Sequence, residues 1–311
     1  MTNLRKIGLT ALAGTLAATV NAQAGELTVG GTARIEIQSN QVTTAGVETE
    51  TDSFLNNGTL TFSGSGELEN GFNVSYHQAL ADGSLTSSNV IVDMGDMGTL
   101  SIADHGGVAG IDSVQDIVPN GGEQPWDDIG THGGHEDGVA NPHTGDRIGY
   151  AIDAGGFTVS AAVDVAADGS TTSAAIKSTS LAEGLTIVAG IADVQSTATV
   201  QDDVETYGLS YTMGAISVGA QQTKVDGQTA NTDIERDAYG ISFMVNENLS
   251  IGYGVSDVEY DAKSFDEEST EIGAVYTSGG MTIGLQNISK DNKNGAAADE
   301  EMTELQLTFA F

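Results

Sequence analysis

No cysteine occurs among the 311 residues, and the chain has only three prolines and one tryptophan. The absence of cysteine excludes disulfide bonds, thiolate metal sites and cysteine catalysis. Basic residues are also scarce, because 10 Lys and Arg stand against 44 Asp and Glu, for a formal net charge of −34. A surface of this sign excludes nucleic acid and other polyanions as partners, and it attracts cations.

Long apolar runs are missing after the N terminus. Residues 1–24 carry two basic residues, Arg5 and Lys6, before an apolar stretch over Ile7–Val20, and they end in the triplet Ala-Gln-Ala. This order is typical of a signal peptide, so we predict cleavage after Ala24 and a mature chain of residues 25–311. No later run reaches the 18 residues that a membrane-spanning helix needs, so any membrane span has to consist of strands.

Apolar and polar residues alternate through the rest of the chain. In residues 25–38, for example, Val29, Ile35 and Ile37 share one parity, whereas Arg34 and Glu36 lie on the other. A period of two predicts β-strands with one apolar and one polar face. The predicted strands lie near 25–38, 55–68, 71–80, 87–93, 98–104, 146–153, 156–166, 171–181, 185–194, 204–212, 216–224, 235–245, 249–260, 269–277, 281–290 and 301–311.

Short turns alternate with longer, acidic connections such as 39–53 and 195–203. About sixteen strands with short turns at one end predict an all-β fold, a transmembrane antiparallel β-barrel. The polar parity is rich in Gly, Ser, Thr and Gln, which suits a water-filled lumen, and aromatic residues near the short turns suit a lipid interface. A secreted β-sandwich or β-solenoid is the alternative, because alternation alone does not distinguish a dry core from a lipid-facing surface.

One connection, residues 105–145, is far longer than the others and contains no predicted strand. It holds all three prolines, the only tryptophan (Trp126), four of the five histidines and no Lys or Arg. Its acidic residues are Asp112, Asp116, Glu123, Asp127, Asp128, Glu136 and Asp137. Such a connection is usually either functional or disordered.

The acidic residues of this connection are better suited to a hard cation than to a transition metal. Asp127, Asp128, Glu136 and Asp137 are candidate ligands for calcium, and a solvated acidic loop is the alternative. The chain has no Gly-x-Ser-x-Gly motif and no phosphate-binding loop. We therefore predict no enzymatic activity and no required cofactor.

The predicted mature chain resembles the general porins of Gram-negative bacteria, especially the non-enteric type. The resemblance rests on the signal peptide, the very long third connection, the segment 146–150 followed by Gly155-Gly156-Phe157, and the alternating C-terminal segment that ends in Phe311. It implies a homotrimeric channel in the cell outer membrane, surrounded by lipid, for passive diffusion of small hydrophilic solutes and ions. It also implies that Phe309 and Phe311 belong to a signal for the outer-membrane assembly machinery.

In this family the third loop folds into the barrel and narrows the pore. The resemblance therefore implies that 105–145 is a constriction loop, and its pore-lining candidates are Asp112, Asp116, Glu123, Trp126, Asp127 and Asp128. Basic partners on the wall are reduced to Arg34 and Arg147, because no Lys or Arg occurs between Gln38 and Asp146. The charge balance predicts a preference for cations. The alternatives are a substrate-specific channel and a secreted or surface-attached acidic β-protein for adhesion or calcium-dependent binding.

Overall fold

The computed structural model describes residues 27–81, 83–105, 109–115, 117–125, 146–164, 170–197 and 200–311. Within these residues, sixteen antiparallel strands form a closed barrel, because β1 pairs with β16 as well as with β2. The strands are β1 (Thr28–Thr44), β2 (Val47–Glu67), β3 (Asn73–Ala81), β4 (Ser84–Asp93), β5 (Thr99–His105), β6 (Arg147–Ala154), β7 (Phe157–Asp164), β8 (Thr171–Ser178), β9 (Leu185–Thr197), β10 (Val200–Met213), β11 (Ile216–Gly227), β12 (Ile234–Asn246), β13 (Leu249–Tyr260), β14 (Glu267–Ser278), β15 (Met281–Asp291) and β16 (Ala298–Ala310).

Short 3-10 helices occur at Gly95–Met97, Gly110–Val114 and Lys293–Gly295. No helix in the described residues is long and apolar enough to cross a membrane. The predicted signal peptide, residues 1–24, lies outside the described residues.

The predicted strand order and number are confirmed, but two of the predicted loops are wrong. Segment 39–53 belongs to β1 and β2, which are joined only by Ala45 and Gly46 with φ of 52° and 76°. Two successive left-handed residues form the tight turn that matches the twist of a hairpin. Segment 195–203 likewise lies mostly in β9 and β10. The tips of both hairpins are mostly polar on both faces, so hydropathy gave no sign of a strand there.

The apolar residues of the alternating pattern face outward from the barrel. Large apolar side chains are exposed there and stand beside one another across strand pairs, as Ile37 does with Phe54 and Ile102 with Ile148. The outward set also includes the aromatic residues Tyr211, Phe243 and Tyr276, near the short turns. A continuous outward band of this kind is suited to contact with lipid.

Carboxylates replace apolar residues on the outer surface toward the end with the longer connections. Asp237 pairs with Asp257, Asp257 with Glu268, and Glu268 with Asp291, so four acids lie directly side by side on four strands. We call these four residues the acidic row. Like charges in directly paired positions repel one another, which is tolerable only where water can solvate them.

The buried apolar residues lie inside the barrel. Ile111 and Val114, from the long connection, are fully buried and pack with inward-facing residues of β8–β11. The wall residues of this cluster are Ala175, Val188, Ala192, Val204 and Val225. Part of the inward face is therefore dry, and it holds the long connection against the wall.

Candidate functional site

The long connection turns into the barrel just after β5. Gly110 has a left-handed φ of 69°, which favours glycine, and it begins the short helix Gly110–Val114. Its N–H donates to Oγ of Ser160, and the N–H of Ile111 donates to Oγ of Ser173, both at 3.1 Å. These serines face inward from β7 and β8, so the beginning of the connection is hydrogen-bonded to the inner wall.

The connection then follows the inner wall towards β15. The side-chain amide of Gln221 donates to the carbonyl of Val114 at 3.1 Å. Further along, the N–H of Gly121 donates to Oε2 of Glu271 at 3.1 Å, and the N–H of Glu123 donates to Oε1 of Gln286 at 3.0 Å. Side chains of β11, β14 and β15 thus form hydrogen bonds with main-chain groups of the connection that would otherwise need water as a partner.

Glu123 extends from the connection to the junction of β16 and β1. Nε2 of Gln306 donates to Oε1 of Glu123 at 3.2 Å, and Nη2 of Arg34 lies 3.7 Å from the same oxygen. Arg34 also forms an ion pair with Glu36. The side chains of Arg34 and Glu123 are 35% and 29% exposed, respectively, so solvent reaches both of them.

Arg147 and Asp112 form a second ion pair, at the other end of the inward path. Arg147 lies at the start of β6, and Asp112 lies in the short helix of the connection. Their side chains are only 4% and 2% exposed. The structure therefore places both residues in the contact between connection and wall, with little access to solvent.

Two further carboxylates on β16 join this polar region, and sequence reasoning missed them. Glu304 accepts hydrogen bonds from Nε2 of Gln38 at 2.6 Å and of Gln306 at 3.3 Å. Glu300 accepts from Nδ2 of Asn40 at 2.6 Å and pairs with Lys293. Their position on the polar parity of the last strand was the available signal. Only the pairing of β16 with β1 brings Glu300 to Asn40 and joins Glu304, through Gln306, to the network of Arg34 and Glu123.

The inward side chains of β2–β5 form the rest of the wall. They are mostly neutral hydroxyl and amide groups, such as Asn57, Thr61, Ser63 and Asn89, and these four strands contain no Lys or Arg. His77 also faces inward, with Nδ1 3.3 Å from Oγ of Ser63. This part of the wall is polar and carries no Lys or Arg.

Several predicted site residues lie outside the described residues. They are Asp116, Trp126, Asp127, Asp128, Glu136 and Asp137, which include all four candidate calcium ligands. Among the residues that the structure does describe, no group of three or more His, Cys, Asp or Glu side chains could hold a metal ion.

The two predicted assembly residues lie at the closing seam of the barrel. Phe309, in β16, pairs with Ala33 of β1 and with Met281 of β15. Phe311 follows the strand, and its N–H donates to the carbonyl of Gly31 at 2.9 Å. Its side chain is 84% exposed.

Comparison with solved structures supports the architecture. An anion-selective porin from Comamonas acidovorans is 16% identical, with a TM-score of 0.65, and the match covers 92% of this chain and 100% of that chain. A loop-deletion mutant of OmpT, an outer membrane protein of Vibrio cholerae, is 13% identical, with a TM-score of 0.67 and coverage of 93% and 100%. A mutant of the Rh. blastica porin is 15% identical, with a TM-score of 0.67 and coverage of 92% and 100%. At these identities the likeness shows the fold.

The family is shown by the sequence itself. No curated protein sequence matches the chain. The sequence profile of the family described as Gram-negative porin, however, matches residues 8–311, nearly the whole chain. Together with the closed sixteen-stranded barrel, this match establishes that the chain belongs to the Gram-negative porin family: it is a non-enzymatic outer-membrane channel for passive diffusion.

Proposed function

We propose that this porin prefers cations among the small hydrophilic solutes and ions that diffuse through it. The family does not determine the sign of the preference, since the Comamonas acidovorans porin is described as anion-selective. The proposal rests on one observation, the distribution of charged side chains on the inner wall.

Carboxylates outnumber basic groups where the described part of the connection meets β16 and β1. Glu36, Glu123 and Glu304 lie in one network of contacts with a single guanidinium, that of Arg34. The remainder of the connection adds acids and no Lys or Arg, and strands β2–β5 contain no Lys or Arg either. Fixed carboxylates in a narrow lumen raise the local concentration of cations and lower that of anions.

Several inward-facing basic groups are withdrawn from solvent. Arg147, Arg236 and Lys290 are 4%, 2% and 2% exposed, and Lys290 lies 3.2 Å from Glu267. Charges that are buried and paired attract passing anions less than exposed charges do. Lys177, near a short turn, is a more accessible base on the inward parity.

The reversal potential of channels in planar bilayers tests the preference. An ion that passes about 8 Å from a carboxylate in water gains about 0.5 kcal/mol, so Glu123→Gln should lower the cation-to-anion permeability ratio about two- to fivefold at low salt. Glu50→Gln removes the same charge from the outward face of the first hairpin and should have little effect. Asn57→Arg should shift the ratio further towards anions. Equal ratios in all four proteins would refute the proposal.

We also propose that the barrel forms the homotrimer implied by its family. The outward face of β1 and β2 carries Gly31, Ala33 and Gly58, and the polar Asn56 stands beside Ile35. Small residues permit close helix or strand packing within a membrane, and a polar amide is better placed against protein than against lipid. The mass of the complex in detergent tests this proposal, since a monomer would contradict it.

Three expectations about processing and ligands also remain proposals. N-terminal sequencing of the mature protein should begin at Gly25, after removal of residues 1–24. Phe309 and Phe311 are proposed to guide assembly of the barrel. Calcium is proposed to bind Asp127, Asp128, Glu136 and Asp137, and calorimetric titration with calcium should lose its signal when these four acids are replaced by amides.

A further inference from the structure

Six consecutive strands, β9–β14, each present at least one glycine beneath the long connection. We call this set the glycine track; its members are Gly190, Gly208, Gly219, Gly240, Gly252 and Gly273. Each of them faces inward, and the loop atoms of residues 111–121 lie directly over them. The track therefore marks the course of the connection along the wall.

The glycines leave no room for a side chain between wall and connection. A methyl group at Gly190 would lie 2.8 Å from Cγ1 of Ile111, and one at Gly219 would lie 2.6 Å from Cδ of Pro119. A methyl group at Gly240 would lie 2.7 Å from Cγ1 of Val118. These separations are about 1 Å shorter than an ordinary contact between carbon atoms.

Backbone conformation does not explain these glycines. None of the six has a positive φ, whereas most turn glycines of the barrel do. Glycine in the interior of a strand weakens the strand and offers no side chain for packing. The remaining reason for glycine at these positions is the space that it leaves.

The track is continuous across the sheet. Gly219 is the cross-strand partner of Gly240, and Gly252 is the partner of Gly273. The partner of Gly208 is Gln221, whose side chain holds the carbonyl of Val114. The inner wall thus offers a shallow groove. Side chains of the connection lie against β9–β11, and its main chain at residues 119–121 lies against β12–β14.

We propose that the glycine track determines the size of the pore, because it sets how far the connection protrudes into the lumen. Any side chain in the track lifts the connection off the wall and takes area from the channel. The size limit for solutes is therefore encoded in the wall beneath the loop as well as in the loop. This role is independent of the preference for cations, since no charge is involved.

Single-channel conductance of Gly219→Ala tests the proposal. The contact with Pro119 requires a displacement of about 1 Å, which should lower conductance by about a tenth to a third. The matched control is Gly284→Ala in β15, which faces the same lumen but has its nearest neighbouring atom, Cβ of Gln306, at 3.7 Å. The control should conduct as the parent does, and both variants should keep the parent's reversal potential.

A compensating substitution makes the test specific to the contact. Pro119→Ala removes the atom nearest to the new methyl group, so the double variant Gly219→Ala/Pro119→Ala should recover the parent's conductance. Parental conductance in the assembled single variant would overturn the proposal, and so would an increase, which would mean that the connection leaves the wall. If the single variant fails to assemble, recovery in the double variant supports the contact, and continued failure counts against it.

Discussion

The buried ion pair between Arg147 and Asp112 should dominate the attachment of the long connection to the wall. Removing one member of a buried pair costs about 3–5 kcal/mol, because the other charge stays buried without compensation. The exposed fractions of 4% and 2% place this pair in that class. Arg147→Met should therefore lower the free energy of unfolding by about this amount in urea titrations of the folded protein in detergent.

Asp112→Asn should destabilise the parent protein but stabilise the Arg147→Met variant. In the parent it removes a partner of Arg147, but Asp164, the buried cross-strand partner of Arg147, keeps a carboxylate beside it on the inner wall, so the cost should be smaller, about 1–3 kcal/mol. In the Arg147→Met background the same substitution removes a buried uncompensated carboxylate and should stabilise the barrel by about 2 kcal/mol.

A matched control separates the effect of burial on stability from the effect of ion pairing alone. Lys224 and Glu235 form a pair at 2.8 Å whose side chains are 48% and 37% exposed. Lys224→Met should leave the free energy of unfolding nearly unchanged, because exposed pairs contribute little. If Asp112→Asn destabilises both backgrounds equally, the two residues are not coupled and their ion pair does not hold the connection to the wall.

Three other predictions address the core, the outer surface and the seam. Ile111→Ala should lower the free energy of unfolding by about 2–5 kcal/mol, because this side chain is fully buried and the paired strands around it cannot move in to fill the cavity. A loss below about 1 kcal/mol would contradict the dry contact. Asp257→Asn should raise the melting temperature at low salt by relieving repulsion in the acidic row, and the gain should vanish at high salt; a lower melting temperature at low salt would contradict this. Deletion of Phe311 should reduce the amount of assembled barrel in the outer membrane, and normal levels would argue against its proposed role.

Local patterns were sufficient for most of the barrel. Alternation along a strand depends on residues that are neighbours in sequence, so the strands that face lipid on one side were recognised. The ends of the first hairpin were not, because Glu48, Glu50 and Asp52 alternate with threonines and give no apolar parity. In this hairpin the sequence indicates the turn only through Ala45 and Gly46, and the prediction placed both residues in a longer loop.

The site was harder to predict because it depends on contacts between distant segments. Arg34 and Glu123 were both candidates, yet their proximity follows from the inward course of the connection. Glu304 reaches the same network only through the pairing of the last strand with the first. The glycines of β9–β14 were visible on the polar parity, but they were attributed to a wet lumen. What these glycines have in common is evident only in the structure, where the connection lies over them.

The sign of the reversal potential of the unmodified protein, measured at neutral pH across a gradient of KCl at low salt, tests the proposed preference for cations. Potassium and chloride have similar mobilities in water, so the sign reports the charge of the lumen. We expect a potential displaced towards the equilibrium potential of potassium, with the displacement shrinking as the salt concentration rises on both sides. A potential displaced towards the equilibrium potential of chloride would contradict it.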